Sequence, residues 1–246
     1  MKIVAHRGNS PKFKESTPSA YIHALGMDIH GVECDVHLCK SGELVVHHDA
    51  ELGRTVAQSE QRRGRVRDMT LDELKSVNIG TDDVPEAMLT LPELLHMVRE
   101  AGKVLYLEVK APQVVDDTVE RRVIADLREA GMEDGSQVEI ISFSHRVMRR
   151  VGKLAPQIPR WYLRKVTEER INPRDWMFSS PTGRGVDIEV LRRHPELLRA
   201  AGQPTYCWTV NADIDISWAI AHDVDVVATD VPGRVLGMRN NATSVD

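Results

Sequence analysis

Cysteine is scarce in this chain. Cys34, Cys39 and Cys207 are the only three among 246 residues and none forms a CxxC pair, so neither a disulfide framework nor a structural zinc site is indicated. Cys34 and Cys207 lie in apolar, strand-like runs and are expected in the core. Long apolar runs are missing as well: none approaches the roughly 20 residues that span a bilayer, and no exposed amphipathic membrane helix stands out. Stable membrane insertion is not expected. The chain opens on Lys2-Ile3-Val4-Ala5 without the charged region, apolar segment and cleavage site of a secretory signal, and a cytoplasmic location is the expectation. Charge of one sign is also lacking, with a formal net charge of -5. The patch at Arg62, Arg63, Arg65 and Arg67 is offset by acids elsewhere and reads as a solvated loop, so nucleic acid is not the implied partner. No Gly-rich dinucleotide fingerprint follows a strand, which weighs against a Rossmann fold. A homo-oligomer is compatible with this sequence.

What is present is concentrated between Gly31 and Asp49. Glu33 and Asp35 alternate with Val32, Cys34, Val36 and Leu38, so an extended segment turns both carboxylates to one face and the apolar side chains to the other. Two adjacent anions on one strand face repel, and they are tolerated only where that face is wet or a cation neutralises them. The turn at Lys40-Ser41-Gly42-Glu43 sends the chain back through Leu44-Val45-Val46, bringing His47, His48 and Asp49 near the acidic strand. His37 shares a face with the acids but is expected to look into solvent.

The remainder alternates strand and helix. Lys2 to Ala5 ends at His6-Arg7-Gly8, and Thr17-Pro18 starts a helix with Thr as N-cap. Leu91 to Ala101, between Thr90 and Gly102, feeds the strand Val104 to Lys110, where Glu108 and Lys110 repeat the period-two placement. Helices are expected over 115–130, 145–154, 195–201 and 212–221, with strands at 138–142, 160–163, 185–188, 205–210 and 224–229. About eight main strands favour an α/β fold of the closed TIM (β/α)8 type, a single domain over 1–246 with a small insertion after the second strand at approximately 50–90. That polar segment holds one short helix at Leu71 to Val77 and reads as an insertion shaping specificity, without a core of its own.

In such a barrel, inward charges belong at the C-terminal ends of the strands. Glu33, Asp35 and Glu108 form a hard oxygen-donor set that suits Mg²⁺ or Ca²⁺ better than zinc. Arg7 and Lys110 can hold an anion, and His6 and His48 can flank a phosphate as proton acceptor and donor. The toolkit is that of phosphoester cleavage. A purely structural ion cluster is the competing reading of Glu33 and Asp35. Trp208 is equally a barrel filler and a wall of the site; Asp230 is a helix cap or a supporting group; Asp187 has no evident partner.

His6-Arg7-Gly8, Glu33-Cys34-Asp35, His48-Asp49, Glu108-Val109-Lys110, Trp208-Thr209-Val210-Asn211 and Ala228-Thr229-Asp230-Val231-Pro232, in this order, resemble the glycerophosphodiester phosphodiesterase family over nearly the whole chain. The resemblance implies a TIM barrel that hydrolyses small-molecule glycerophosphodiesters to an alcohol and glycerol 3-phosphate with a divalent cation. It implies His6 and His48 as the acid/base pair, the second chosen over His47 because the family histidine directly precedes the aspartate. Glu33, Asp35 and Glu108 become metal ligands, and Arg7 and Lys110 contact the phosphate; Trp208, on the wall reading, is the further candidate for contact with the substrate's alcohol moiety. The alternatives are a lysophospholipid or other phosphodiester conjugate as substrate, or a non-catalytic phosphate-ligand binding barrel. One departure stands out: the family's Pro-Glu-Asn-Thr is here Lys14-Glu15-Ser16-Thr17.

Overall fold

The computed structural model describes residues 1–8, 13–110, 116–164 and 178–243. Eight parallel strands close on themselves: β1 (Lys2–Ala5), β2 (Gly31–Leu38), β6 (Val104–Val109), β7 (Val138–Ser142), β8 (Arg160–Leu163), β9 (Gly183–Asp187), β10 (Thr205–Trp208) and β11 (Val226–Thr229), with β1 pairing both β2 and β11. The expected TIM barrel is what forms. Its strands are buried on both faces, which is why they read as continuous apolar runs. Along β6, Leu105, Leu107 and Val109 join the layer beneath the helices, whereas Tyr106 packs with Val4, Trp161 and Tyr206 inside the barrel. Period-two alternation then turns Glu108 inward beside Tyr106. On β2 the same rule places Cys34 in the outer layer, between two inward acids.

Helix starts follow their sequence signals. The Thr17 side chain accepts from Ala20 N at the head of α1 (Pro18–Leu25). α2 (Leu71–Lys75) and α3 (Leu91–Glu100) each carry a capping box, Thr70 with Glu73 and Thr90 with Glu93, which satisfies backbone donors that the helix leaves open. α4 (Thr118–Glu129) and α5 (His145–Leu154) follow β6 and β7; the expected start of α4 at Val115 lies outside the described residues. The helix expected over 195–201 is not there. Instead α6 (Ile188–Arg193) forms directly after β9, capped by Asp187, whose Oδ1 accepts from Glu189 N at 2.8 Å and Val190 N at 3.4 Å. Pro195 keeps His194 out of the helical region, at φ -132° and ψ 66°, so only single 3₁₀ turns follow at Pro195–Leu197 and Ala200–Gly202. α7 (Asp213–Ala221) and α8 (Pro232–Thr243) complete the chain.

Between β2 and α3 the chain makes an excursion. β3 (Leu44–Val46) returns antiparallel on β2, and β4 (Glu51–Leu52) pairs with β5 (Gly64–Arg65). Contrary to the expectation of a coreless segment, Leu52, Val56, Val66, Leu74, Val77, Ile79 and Met88 form a buried cluster with Cys39 and Val45. These residues are scattered in polar text with no common period, so periodicity could not find them. The arginine patch here is spent on local contacts, Arg63 to the Glu60 carbonyl at 2.7 Å and Arg65 to Glu51 at 3.1 Å.

Gly31 admits no side chain: a Cβ there would lie 2.0 Å from the carbonyl oxygen of Val104 on β6. Because Gly31 and Val104 begin the register that sets Asp35 opposite Glu108, Gly31→Ala forces two acid-bearing strands apart. It is expected to lower stability by about 1–3 kcal/mol in chemical denaturation, with a matching loss of activity in the folded fraction.

Candidate active site

Barrel register assembles the site. Pairing of Ala5 with Thr229 sets the next residues, His6 and Asp230, side by side, and Nδ1 of His6 lies 2.7 Å from Asp230 Oδ1. Asp230 is held in turn: its Oδ2 accepts from Asn211 Nδ2 at 2.7 Å, and its N–H donates to Asn211 Oδ1 at 2.9 Å. His48, delivered by the return of β3, pairs through Nδ1 with its neighbour Asp49 at 2.6 Å. Each histidine is therefore oriented by a carboxylate at Nδ1, and Nε2 of His6 faces Glu33 Oε2 at 3.9 Å.

Glu33, Asp35 and Glu108 each bring an oxygen within 4.8 Å of the others. They are nearly sequestered, at 2, 1 and 8 % exposed. Lys110 Nζ lies 2.7 Å from Asp35 and 2.8 Å from Glu108, while Arg7 Nε lies 3.2 Å from Asp35 and Arg7 N donates to Glu33 at 3.0 Å. These cations do not discharge all three acids. Burial and the field of Asp35 push Glu33 up to about 8 and Glu108 up to about 7, whereas Asp35 overcomes its burial through Lys110 and Arg7 and stays below its ordinary range. A compact all-oxygen set with unrelieved repulsion fits a hard divalent ion. Burial lowers the pKa of His48. For His6, burial acts the same way, but the Asp230 bond and the Glu33 field outweigh it and the pKa is raised.

A cavity of about 320 Å³ opens over these groups. His6, Arg7, Glu33, His48, Glu108 and Lys110 form one side, and Ile141, Phe143, Leu163, Tyr206 and Trp208 the other. Trp208 is both wall and filler, since its half-buried ring lines the cavity and meets Phe143 edge-on at 5.6 Å and Tyr206 at 6.2 Å. Asp187 reaches the rim as it caps α6.

The two neighbouring histidines diverge sharply. His47 is 1 % exposed and spans the Asp49 carbonyl at 2.7 Å and Thr55 Oγ1 at 2.6 Å. His37 does not look into solvent: half-buried, its Nε2 lies 3.0 Å from the His48 carbonyl, bracing the loop that carries His48. Sequence reasoning assigned no role to Asp49, Asn211 or Glu15, although all three stand inside the motifs, and nothing in the sequence pointed to Arg54. Glu15 Oε1 accepts from Arg7 Nη1 at 3.0 Å. Ser16, where the family has Asn, adopts φ 61° and donates its N–H to the Arg7 carbonyl at 2.9 Å. Asn tolerates this left-handed region better than most residues, so the departure touches backbone preference while the Arg7 contact is made by the main chain.

Acids, two cations and carboxylate-anchored histidines gathered at the mouth of a (β/α)8 barrel are the equipment of a phosphoric ester hydrolase. The family model described as the glycerophosphoryl diester phosphodiesterase family matches residues 6–234. The chain is 31% identical to probable glycerophosphodiester phosphodiesterase 1 of Mycobacterium tuberculosis, over 94% of this chain and 90% of that one. It is 28% identical to the glycerophosphodiester phosphodiesterase of Caldanaerobacter subterraneus subsp. tengcongensis, over 96% of each. An Oleispira antarctica phosphodiesterase solved with its product sn-glycerol-3-phosphate superposes with a TM-score of 0.83 at 22% identity, covering 96% of each chain. The chain belongs to the glycerophosphoryl diester phosphodiesterase family and is an enzyme that hydrolyses glycerophosphodiesters.

Proposed function

We propose that the chain cleaves glycerophosphodiesters to an alcohol and glycerol 3-phosphate by general acid–base catalysis between His6 and His48, with a divalent cation, Mg²⁺ or Ca²⁺, held by Glu33, Asp35 and Glu108. The observation that carries this reading is the pair of histidines, each fixed through Nδ1 by its own carboxylate, on the rim of one cavity with the buried acids. When bound, the cation supplies charge neutralisation and Lewis-acid polarisation of a phosphoryl oxygen. Arg7 and Lys110 flank the same space and orient the phosphate. One histidine takes the proton from the attacking oxygen, of water or of the neighbouring glycerol hydroxyl, and the other gives a proton to the leaving alkoxide; where the hydroxyl attacks, water then opens the cyclic phosphate with the two roles exchanged. Ile141, Phe143, Leu163, Tyr206 and Trp208 give the same cavity an apolar lining. The substrate is a water-soluble diester in this reading; among the described residues no helix is long and apolar enough to cross a membrane.

The direct test is release of glycerol 3-phosphate from glycerophosphocholine or glycerophosphoethanolamine with Mg²⁺ or Ca²⁺. Choline or ethanolamine phosphate as the product instead would reverse the assignment of the leaving side. Asp230 gives a finer test. Asp230→Asn removes the anion that sets the His6 tautomer, and kcat is expected to fall by at least about 10–100-fold, the loss seen for the carboxylate partners of metal-bound histidines, with little change in KM. Unchanged kcat would return Asp230 to a purely structural part.

A further inference from the structure

Arg54 stands in the excursion, outside the barrel and outside every motif. Its guanidinium is shared by two carboxylates. Nη1 and Nη2 donate to Glu15 Oε2 and Oε1, both at 2.8 Å, while Nε and Nη2 donate to Asp49 Oδ2 and Oδ1, both at 3.2 Å. Each carboxylate has its other partner in the site. Asp49 Oδ1 meets His48 Nδ1 at 2.6 Å, and Glu15 Oε1 accepts from Arg7 at 3.0 Å.

Arg54 is itself anchored from behind. The next residue, Thr55, meets the buried His47 at 2.6 Å, and the Val56 carbonyl accepts from Lys14 Nζ at 2.7 Å, one residue before Glu15. With a side chain 53% exposed, a simple ion pair at Arg54 would contribute little. A planar fork seated on two carboxylates acts differently, because it fixes directions as well as charge. Without it, Glu15 and Asp49, at 17% and 28% side-chain exposure, are left as two half-buried anions facing a common space.

We propose that Arg54 is a positioning residue: through Asp49 it sets the ring of His48, and through Glu15 the direction of Arg7, so that the excursion holds the proton-transfer and phosphate sides of the site in one arrangement. The inference rests on the roles given to His48 and Arg7 under the proposed function. Nothing in it requires Arg54 to touch substrate.

The test is steady-state turnover of glycerophosphocholine by the full chain with saturating Mg²⁺. Arg54→Met is expected to lower kcat about 10–100-fold with an unchanged melting temperature, and Arg54→Lys to recover only part of it, since an ammonium cannot fork. In an Asp49→Ala background the loss on adding Arg54→Met shrinks to a few-fold; in an Asp230→Asn background, where the other histidine is disturbed, it persists in full. Equal losses in all backgrounds, full rescue by lysine, or no loss would overturn the proposal. A His48→Ala variant with wild-type turnover would instead remove the reading on which it rests.

Discussion

His6→Ala and His48→Ala are each expected to lower kcat with glycerophosphocholine by about 10²–10⁴-fold, the range over which a positioned general acid or base contributes. Stability should change little. Neither ring is deep in the core, and each makes its one strong bond to a carboxylate that retains water access, Asp230 or Asp49. A folded protein with its chemistry removed is the signature to look for, by circular dichroism and thermal melting beside the assay. The adjacent His47 marks the contrast, because it is fully buried and bonded at both nitrogens, and its loss acts on the fold. If either His6→Ala or His48→Ala left kcat within a few-fold of the parent, the acid/base pair would be wrong.

The second large effect is removal of the divalent ion. Chelation is expected to abolish turnover, and addition of Mg²⁺ or Ca²⁺ to restore it. A stability signature should accompany this. Burial and the neighbouring Asp35 hold Glu33 up to about 8 and Glu108 up to about 7, against an ordinary 4.5. Between pH 4.5 and 8 the folded metal-free protein thus keeps protons that the unfolded chain has lost. By linkage the contribution of this pair to stability falls as pH rises through that window. Three other histidines act oppositely: desolvation lowers the pKa of His30 to about 4 and also lowers those of His37 and His47, so their contribution rises with pH.

The difference between loaded and metal-free protein separates the two. A bound cation favours the ionised acids, so its stabilising effect grows from about pH 4.5 to 8 and then levels off, while the histidine contribution is common to both forms. At a hundredfold excess over Kd the gain is about 2.7 kcal/mol. Calorimetric melts across this pH range with and without the ion would show it. A gain that is flat with pH, or turnover that survives chelation, would mean that Arg7 and Lys110 alone balance the acids.

Much of the architecture was legible because it is written in local patterns. Thr90 and Gly102 bound α3, Gly42 marks the β2–β3 turn, and the alternation from Val32 to Leu38 the inward acids. Where local pattern failed, a specific cause is visible. Pro195 carries the local signature of a helix start but follows a helix end, because Asp187 caps an earlier helix over Ile188–Arg193. The excursion looked coreless because Leu52, Val56, Val66 and Met88 share no period.

From the sequence alone came the barrel, the three acids with their hard-ion character, Arg7 and Lys110, and, by resemblance, the two histidines. Only the tertiary structure decided who supports whom. Asp230 lies 224 residues from His6 and meets it because β1 closes against β11; Glu108 meets Asp35 through the register of β2 with β6; and Arg54, 39 residues from Glu15, reaches it because the excursion folds back over the barrel mouth. Side-chain type and period determine which face a residue takes, whereas the partner across that face is set by chain closure, and closure leaves no mark in the residues on either side of it.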